Sequence, residues 1–419
     1  MKIRLIIQFV ILLIICSCSG PSRIEGPVTE TAGNIMDENS FGEDLEFLRK
    51  NTEVILLSDE QGRGMAAVVP AWQARVMTST CDGMEGSSFG WINYDLIESG
   101  ETEPHINAYG GEDRFWMGPE GGQYSIFFNS GDPFDFEHWQ TPAFIDTEPF
   151  EILSAGKSEA SFRREVKVRN YSGMEFALEI TRTIRMLLPG KVGELLDGAD
   201  LNALNIVAFE TENRVKNKSG EDWSRDKGLL SIWILGMYLP SPRTTIIVPY
   251  KPGPEDAGTI VNDEYFGKVP PERLKTGEKA VFFSGDGEYR SKIGLNPKRA
   301  RNVLGSWDAS RNVLTVVQFN KPKETMDYVN SMWEIQEDPF SGDVVNCYND
   351  GVPAPGEDPL GPFYELETSS PALELSAGAE GTHLHRTFHF TGPREKLNAV
   401  AMLMLGIGLD EAESVFAVE

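Results

Sequence analysis

The chain has 419 residues, with 38 basic and 64 acidic side chains and a formal net charge of −26. That excess of negative charge repels phosphate backbones and anionic lipid, which argues against nucleic acid as a partner and against membrane contact through a basic face. Hydrophobic residues make up 40% of the chain, which is enough for a packed core and too many for a disordered protein.

At the N-terminus Lys2 and Arg4 precede an apolar run from Leu5 to Ile15, broken only by Gln8. A membrane span needs about 20 apolar residues and this run is about half as long, so it reads as a signal peptide over residues 1–17. It ends Ile15-Cys16-Ser17-Cys18-Ser19-Gly20, which resembles the bacterial lipobox: a branched apolar residue, two small residues, then the acylated cysteine. Cys18 fits as the lipidation site, whereas Cys16 would put Ile15 where a small residue is needed. The resemblance implies a protein of the cell envelope, in the periplasm or at the outer membrane, that meets the membrane only through its lipid anchor. Residues 18–44, rich in Gly, Pro, Thr, Asn and acids, read as the lipidated cysteine and a flexible tether, and residues 45–419 as a single β-domain.

Within that domain short period-two segments recur between Gly, Pro, Asn and Asp clusters, the pattern of antiparallel sheet. The clearest is a long hairpin: Val166 and Val168, an Asn170-Tyr171-Ser172-Gly173 turn, then Met174, Phe176, Leu178, Ile180, Ile184 and Met186 at even positions, with Arg182 the exception among them. Further strands are expected over 54–57, 66–69, 244–248, 279–284 and 313–319. Leu229 to Leu239 is almost continuously apolar and fits a strand or a buried helix. Pro393, ahead of Leu397, Val400, Met402 and Leu405, opens a C-terminal helix that Gly406 can stop. Cys81 and Cys347 either pair or remain two buried thiols.

Three segments could carry chemistry. In the first, from Asn107 to Gly122, paired glycines permit a tight backbone, while Tyr109, Glu112, Asp113, Arg114, Trp116 and Glu120 supply charge and flat rings. In the second, Phe363 to Thr368, a strand would put Glu365 and Glu367 on one face roughly 6.7 Å apart and Tyr364 on the other. Close carboxylates resist ionising together, so one can serve as acid and the other as base. The third, Thr382 to Phe390, aligns His383, His385 and His389 on one face. His389 would lie roughly 13 Å beyond His385, so these histidines read as hydrogen-bonding groups rather than a metal set. His138 sits beside Trp139 in a further acid, base and aromatic cluster. The sequence holds no Gly-rich phosphate loop, CxxC or HExxH, and neither a cofactor nor a metal is expected.

The order of segments resembles the aldose 1-epimerases. Met65 to Val76 is similar to their opening strands, Gly110-Gly111-Glu112-Asp113-Arg114-Phe115-Trp116 to their HGG segment and the following aromatic stretch, and Leu366-Glu367-Thr368 with Pro371 to their late LETQ motif. The nearest likeness is to an uncharacterised family of Gram-negative lipoproteins within that superfamily. The resemblance implies a mainly β, galactose mutarotase-like β-supersandwich, with antiparallel sheets packed face to face, a concave sugar-binding cleft and few short helices. By the same resemblance Glu367 falls on the catalytic base and Tyr109 on the histidine before the glycines, while the second epimerase histidine, the acid, has no counterpart between Ile180 and Tyr250. His138, His383 or His385 would have to supply that proton. The implied function is a carbohydrate-binding, epimerase-like protein in which Tyr109, Trp116, Trp139 and Tyr364 offer stacking faces and Glu112 and Arg114 position the ligand. The alternatives are a non-catalytic glycan-binding lipoprotein and a polysaccharide lyase or hydrolase.

Overall fold

The computed structural model describes residues 39–417, except 197, 255–256 and 324–325. The signal peptide, Cys18 and the tether as far as residue 38 lie outside the described residues. Residues 38–419 form one compact unit. Its first element is the helix Phe41–Asn51, whose N-cap Ser40 and Glu43 satisfy each other's backbone donors in a capping box, while Phe41, Leu45 and Leu48 are buried. Residues 41–44, assigned to the tether by composition, are therefore the first turn of this helix: the apolar spacing that buries it begins at Phe41.

The rest is mainly β, as expected, with antiparallel pairing in every sheet. Ile55–Ser58, Met65–Val69 and Arg75–Thr80 form a three-stranded sheet. A ten-stranded sheet runs in spatial order Leu274–Thr276, Ala280–Ser284, Thr244–Pro249, Val303–Asp308, Val313–Phe319, Glu380–Thr391, Asn205–Asn217, Glu175–Met186, Glu159–Arg169, Glu151–Ala155. A five-stranded sheet runs Ser291–Leu295, Val345–Asn349, Tyr364–Ser369, Ser231–Tyr238, Arg114–Gly118.

The two larger sheets share a core. Ile246, Val248, Phe283, Leu304 and Val317 of the ten-stranded sheet pack with Ile293, Cys347, Tyr364 and Leu366 of the five-stranded one. The intervening residues Ile247, Phe282, Val303, Leu314 and Val316 point to the opposite face, where Leu397, Val400, Ala401 and Leu405 of the helix Arg394–Met404 cover them. Both faces of these strands are thus dry, which explains their near-continuous apolar sequence. Ser231–Tyr238 is also a strand, paired with Tyr364–Ser369 and Arg114–Gly118, and every residue in it is buried.

The expected hairpin pairs Glu159–Arg169 with Glu175–Met186. Its exception is explained by a buried ion pair, since the Arg182 guanidinium contacts Asp113 and donates to Asn213 Oδ1 (2.8 Å) and to the Ala74 carbonyl oxygen (3.1 Å). Cys81 and Cys347 are both free and buried, and the Cys81 thiol sits 3.4 Å from Thr391 Oγ1. No helix among the described residues is long and apolar enough to cross a membrane.

Candidate functional site

The pairing register of the five-stranded sheet lays chemistry-bearing side chains in rows. Lys292 is opposite Tyr348, Tyr348 opposite Glu365, and Glu365 opposite Met237. In the next row Asn346 meets Glu367, Glu367 meets Leu235, and Leu235 meets Arg114; in the third Ser369 meets Trp233, which meets Trp116. Because side chains alternate across a strand, all of these project from the face away from the inter-sheet core. Lys292, Tyr348, Glu365, Met237, Leu235, Arg114, Trp233 and Trp116 floor a cleft of about 610 Å³, walled by Glu120, Trp139, Tyr265, Phe266 and Trp333 and by the segment from Asp350 to Phe363.

Two basic side chains hold the carboxyls of the floor. Arg114 pairs with Glu365 Oε1, and Lys292 Nζ donates to Glu367 Oε2 at 3.2 Å. Trp233 Nε1 donates to the same Glu367 oxygen at 2.9 Å, and the Lys292 ammonium lies 4.6 Å from the centre of the Trp233 ring. Burial works against the Lys292 charge, but Glu367, Glu120 and Glu365 outweigh it and hold the ammonium above its ordinary value. Burial pushes the Glu365 carboxyl up to about 8, with Glu367 adding to the shift and Arg114 and Lys292 opposing it. Burial and the neighbouring Glu367 thus favour the neutral form of Glu365, and Glu367 Oε1 is a buried acceptor without a hydrogen-bond partner. Glu120 is also raised by burial. The walls are aromatic: Trp139 stacks on Trp333 at 5.8 Å, and Trp116 meets Trp233 edge-on at 5.7 Å. Trp116 Nε1 and Trp139 Nε1 are buried donors without a partner.

Of the residues singled out by sequence, Arg114, Trp116, Glu120, Trp139 and Glu365 line this cleft. Glu367 lies on the same face but beneath Lys292 and Trp233, with no exposed surface. The others are elsewhere. Tyr364 takes the opposite face of its strand, where its hydroxyl meets Ser306 Oγ at 2.8 Å in the inter-sheet core. Tyr109 stacks on Trp72 at 4.4 Å under the N-terminal helix. Gly110 and Gly111 both have positive φ, and a Cβ on Gly110 would stand 2.1 Å from the Trp91 carbonyl oxygen, so the glycines serve a close backbone crossing rather than a ligand loop.

Glu112 Oε2 accepts from His389 Nε2 at 2.5 Å, and Asp113 is consumed by Arg182 and by the Thr211 hydroxyl at 2.9 Å. His383 Nε2 and His385 Nδ1 share Thr368 Oγ1 at 2.8 and 2.9 Å. Burial pushes these two histidines down to about 3 and about 4, so they stay neutral hydrogen-bonding groups away from the cleft. His138 pairs with Asp135 at 2.6 Å on the surface and is absent from the cleft lining. No histidine among the described residues lines the cleft. Among the described residues no group of three or more His, Cys, Asp or Glu is arranged to hold a metal.

Sequence reasoning missed Lys292, Trp233, Tyr265 and Trp333. Lys292 was legible only as a lone cation in Ser291–Leu295, a five-residue strand otherwise uncharged. Trp233 was hidden in an apolar run whose two faces composition does not separate.

The profile of DUF6786, a family of unknown function, matches residues 39–416. No curated protein matches the sequence. The fold is similar to that of a protein from Synechocystis sp. PCC 6803 (TM-score 0.48, 12% identity, covering 82% of this chain and 96% of that one). It is also similar to a putative aldose 1-epimerase from Escherichia coli K12 (0.45, 10%, 80% and 98%) and to a galactose mutarotase-like protein from Lactobacillus casei ATCC 334 (0.44, 10%, 81% and 100%). At such identities the likeness concerns the fold, and a functional reading has to come from the cleft itself.

Proposed function

We propose that this chain, which belongs to the DUF6786 family of unknown function, holds a carbohydrate in the cleft on the five-stranded sheet and acts on it by proton transfer. The observation that carries the reading is the pairing of a carboxyl-bearing floor with tryptophan walls: indole faces cover the apolar side of a sugar ring, and carboxyl, guanidinium and ammonium groups bind its hydroxyls.

An epimerase-like ring opening needs an acid at the ring oxygen and a base at the anomeric hydroxyl. Glu365, protonated at neutral pH, supplies the acid. Glu367 acts as base through its unpartnered Oε1: it takes the hydroxyl proton, C1 gains its carbonyl double bond, and the ring C–O bond breaks as Glu365 protonates the departing oxygen. Reclosure on the other face returns both protons. The full burial of Glu367 favours a second reading, a binder without turnover.

Tryptophan fluorescence titration of residues 38–419 with a sugar panel, followed by polarimetry of any binder, separates the two. Binding with turnover lost in Glu367→Gln supports the enzyme, binding without turnover supports the second reading, and no binding to any sugar refutes both. Attachment to the cell envelope through Cys18 belongs to the same proposal. It is supported by the charged and apolar leader and the small residues around Cys18, and is tested by mass spectrometry of the N-terminal peptide from wild type and Cys18→Ala.

A further inference from the structure

The cleft changes character with depth. At its floor Arg114, Glu365 and Lys292 are 2%, 5% and 8% exposed. Its mouth combines exposed apolar side chains with the acids Glu334, Glu357 and Asp358 and with Arg290, whose guanidinium lies over the Phe266 ring. The three most exposed large apolar side chains among the described residues are Ile335 (63%), Phe136 (57%) and Val352 (55%). Phe136 lines the cleft, and the other two are chain neighbours of the lining residues Glu334 and Pro353. Phe266 and Leu360, 45% and 42% exposed, line it as well. Single exposed apolar residues are ordinary, but three of them, Phe136, Phe266 and Leu360, line this one opening, which marks it as a contact surface.

A small free sugar seated on the floor would leave that rim uncovered. A floor of charged hydrogen-bonding groups beneath a hydrocarbon-lined mouth matches a molecule polar at one end and apolar at the other. The acids at the mouth, Glu334, Glu357 and Asp358, together with the chain's net charge of −26, disfavour an anionic headgroup.

We propose that the ligand is an uncharged sugar carrying a hydrocarbon chain, with the sugar on the Arg114, Glu365 and Lys292 floor and the chain laid across Phe136, Phe266 and Leu360. This rests on the carbohydrate reading above and adds the class of its aglycone. A second copy of the chain is the competing occupant of the rim.

The test is calorimetric titration of residues 38–419 with methyl, hexyl and octyl β-glucosides and β-galactosides below their micellar concentrations, alongside an octyl zwitterion without a sugar. A fully buried methylene is worth roughly fourfold in affinity, so even partial coverage of the octyl chain gives about tenfold or more over the methyl glycoside. The double variant Phe136→Ser/Leu360→Ser should lose that gain and keep methyl glycoside binding. Equal affinity for methyl and octyl glycosides overturns the inference and leaves the carbohydrate reading standing. Octyl zwitterion binding as tight as octyl glycoside binding overturns it too, since the floor would then take no part. Binding of no glycoside in either series refutes the sugar and its aglycone together. A concentration-dependent dimer in sedimentation velocity, abolished by the rim variant, gives the rim to a second copy and overturns the inference.

Discussion

Replacing Glu365 by Gln should make the protein more stable relative to wild type as the pH rises. Below the ordinary carboxyl value of 4.5 Glu365 is protonated whether the chain is folded or unfolded. Above it the unfolded chain releases the proton, while the folded chain keeps it up to about 8 because the carboxyl is buried beside Glu367. The folded state therefore binds more protons between about 4.5 and 8, and wild type loses stability across that window and no further beyond it. A tenfold change in proton affinity is worth about 1.4 kcal/mol, so the whole effect is about 5 kcal/mol at most. Relaxation around the site reduces it to about 2 kcal/mol or more, since buried sites respond as though in a medium of higher dielectric than a dry interior. Gln keeps an acceptor for Arg114 and a donor for Glu367 and has no proton to lose. Urea denaturation of both proteins at pH 5, 6, 7, 8 and 9 reads the difference directly. An advantage of the variant that grows to pH 8 and then levels off is the expected result. A difference that is flat, or that shrinks with pH, would mean that Glu365 is an ionised partner of Arg114 and would refute the acid role.

Asp113→Ala leaves the fully buried Arg182 without its partner and should cost about 3–5 kcal/mol in urea denaturation, with ligand affinity unchanged because neither residue lines the cleft. His383 and His385, held neutral down to about 3 and 4, bind fewer protons folded than unfolded below about 6.5, so they contribute stability that is lost as the pH falls through that range. His383→Gln/His385→Gln should accordingly flatten the acid limb of Tm measured from pH 7 to 4, and an unchanged limb would contradict this. In residues 38–419 Cys81 and Cys347 should react slowly with a thiol reagent while folded and give two equivalents on unfolding without reductant. One disulfide by mass would contradict the structure.

The sequence reveals much of the fold because period-two alternation survives wherever a strand has one dry and one wet face, as in Glu175–Met186. It fails where the residues of both faces are apolar and buried, as in Ser231–Tyr238, and there the cleft's Trp233 was lost among its neighbours. The cleft was half legible. Arg114, Trp116, Glu120, Trp139 and Glu365 stood out as charged or flat residues near turns and paired acids. Glu112, Asp113, His383 and His385 stood out for the same reason and turned out to be buried partners of His389, Arg182 and Thr368. Residue type alone does not distinguish a polar group facing a ligand from one satisfied between two sheets, since both need charge and precise partners. Register makes that distinction, and register depends on strands far apart in the chain.

Along Tyr364–Ser369 the odd residues face the cleft while Tyr364, Leu366 and Thr368 hold the two large sheets together. Specificity and foldability are therefore written on interleaved positions of one strand. Substitutions at Glu365, Tyr348, Leu235 or Met237 reshape the cleft while the inter-sheet contacts of the alternate positions stay in place. A lineage on this scaffold can diverge in what it recognises far faster than in its shape, and a designer can draw a combinatorial library from the same alternation.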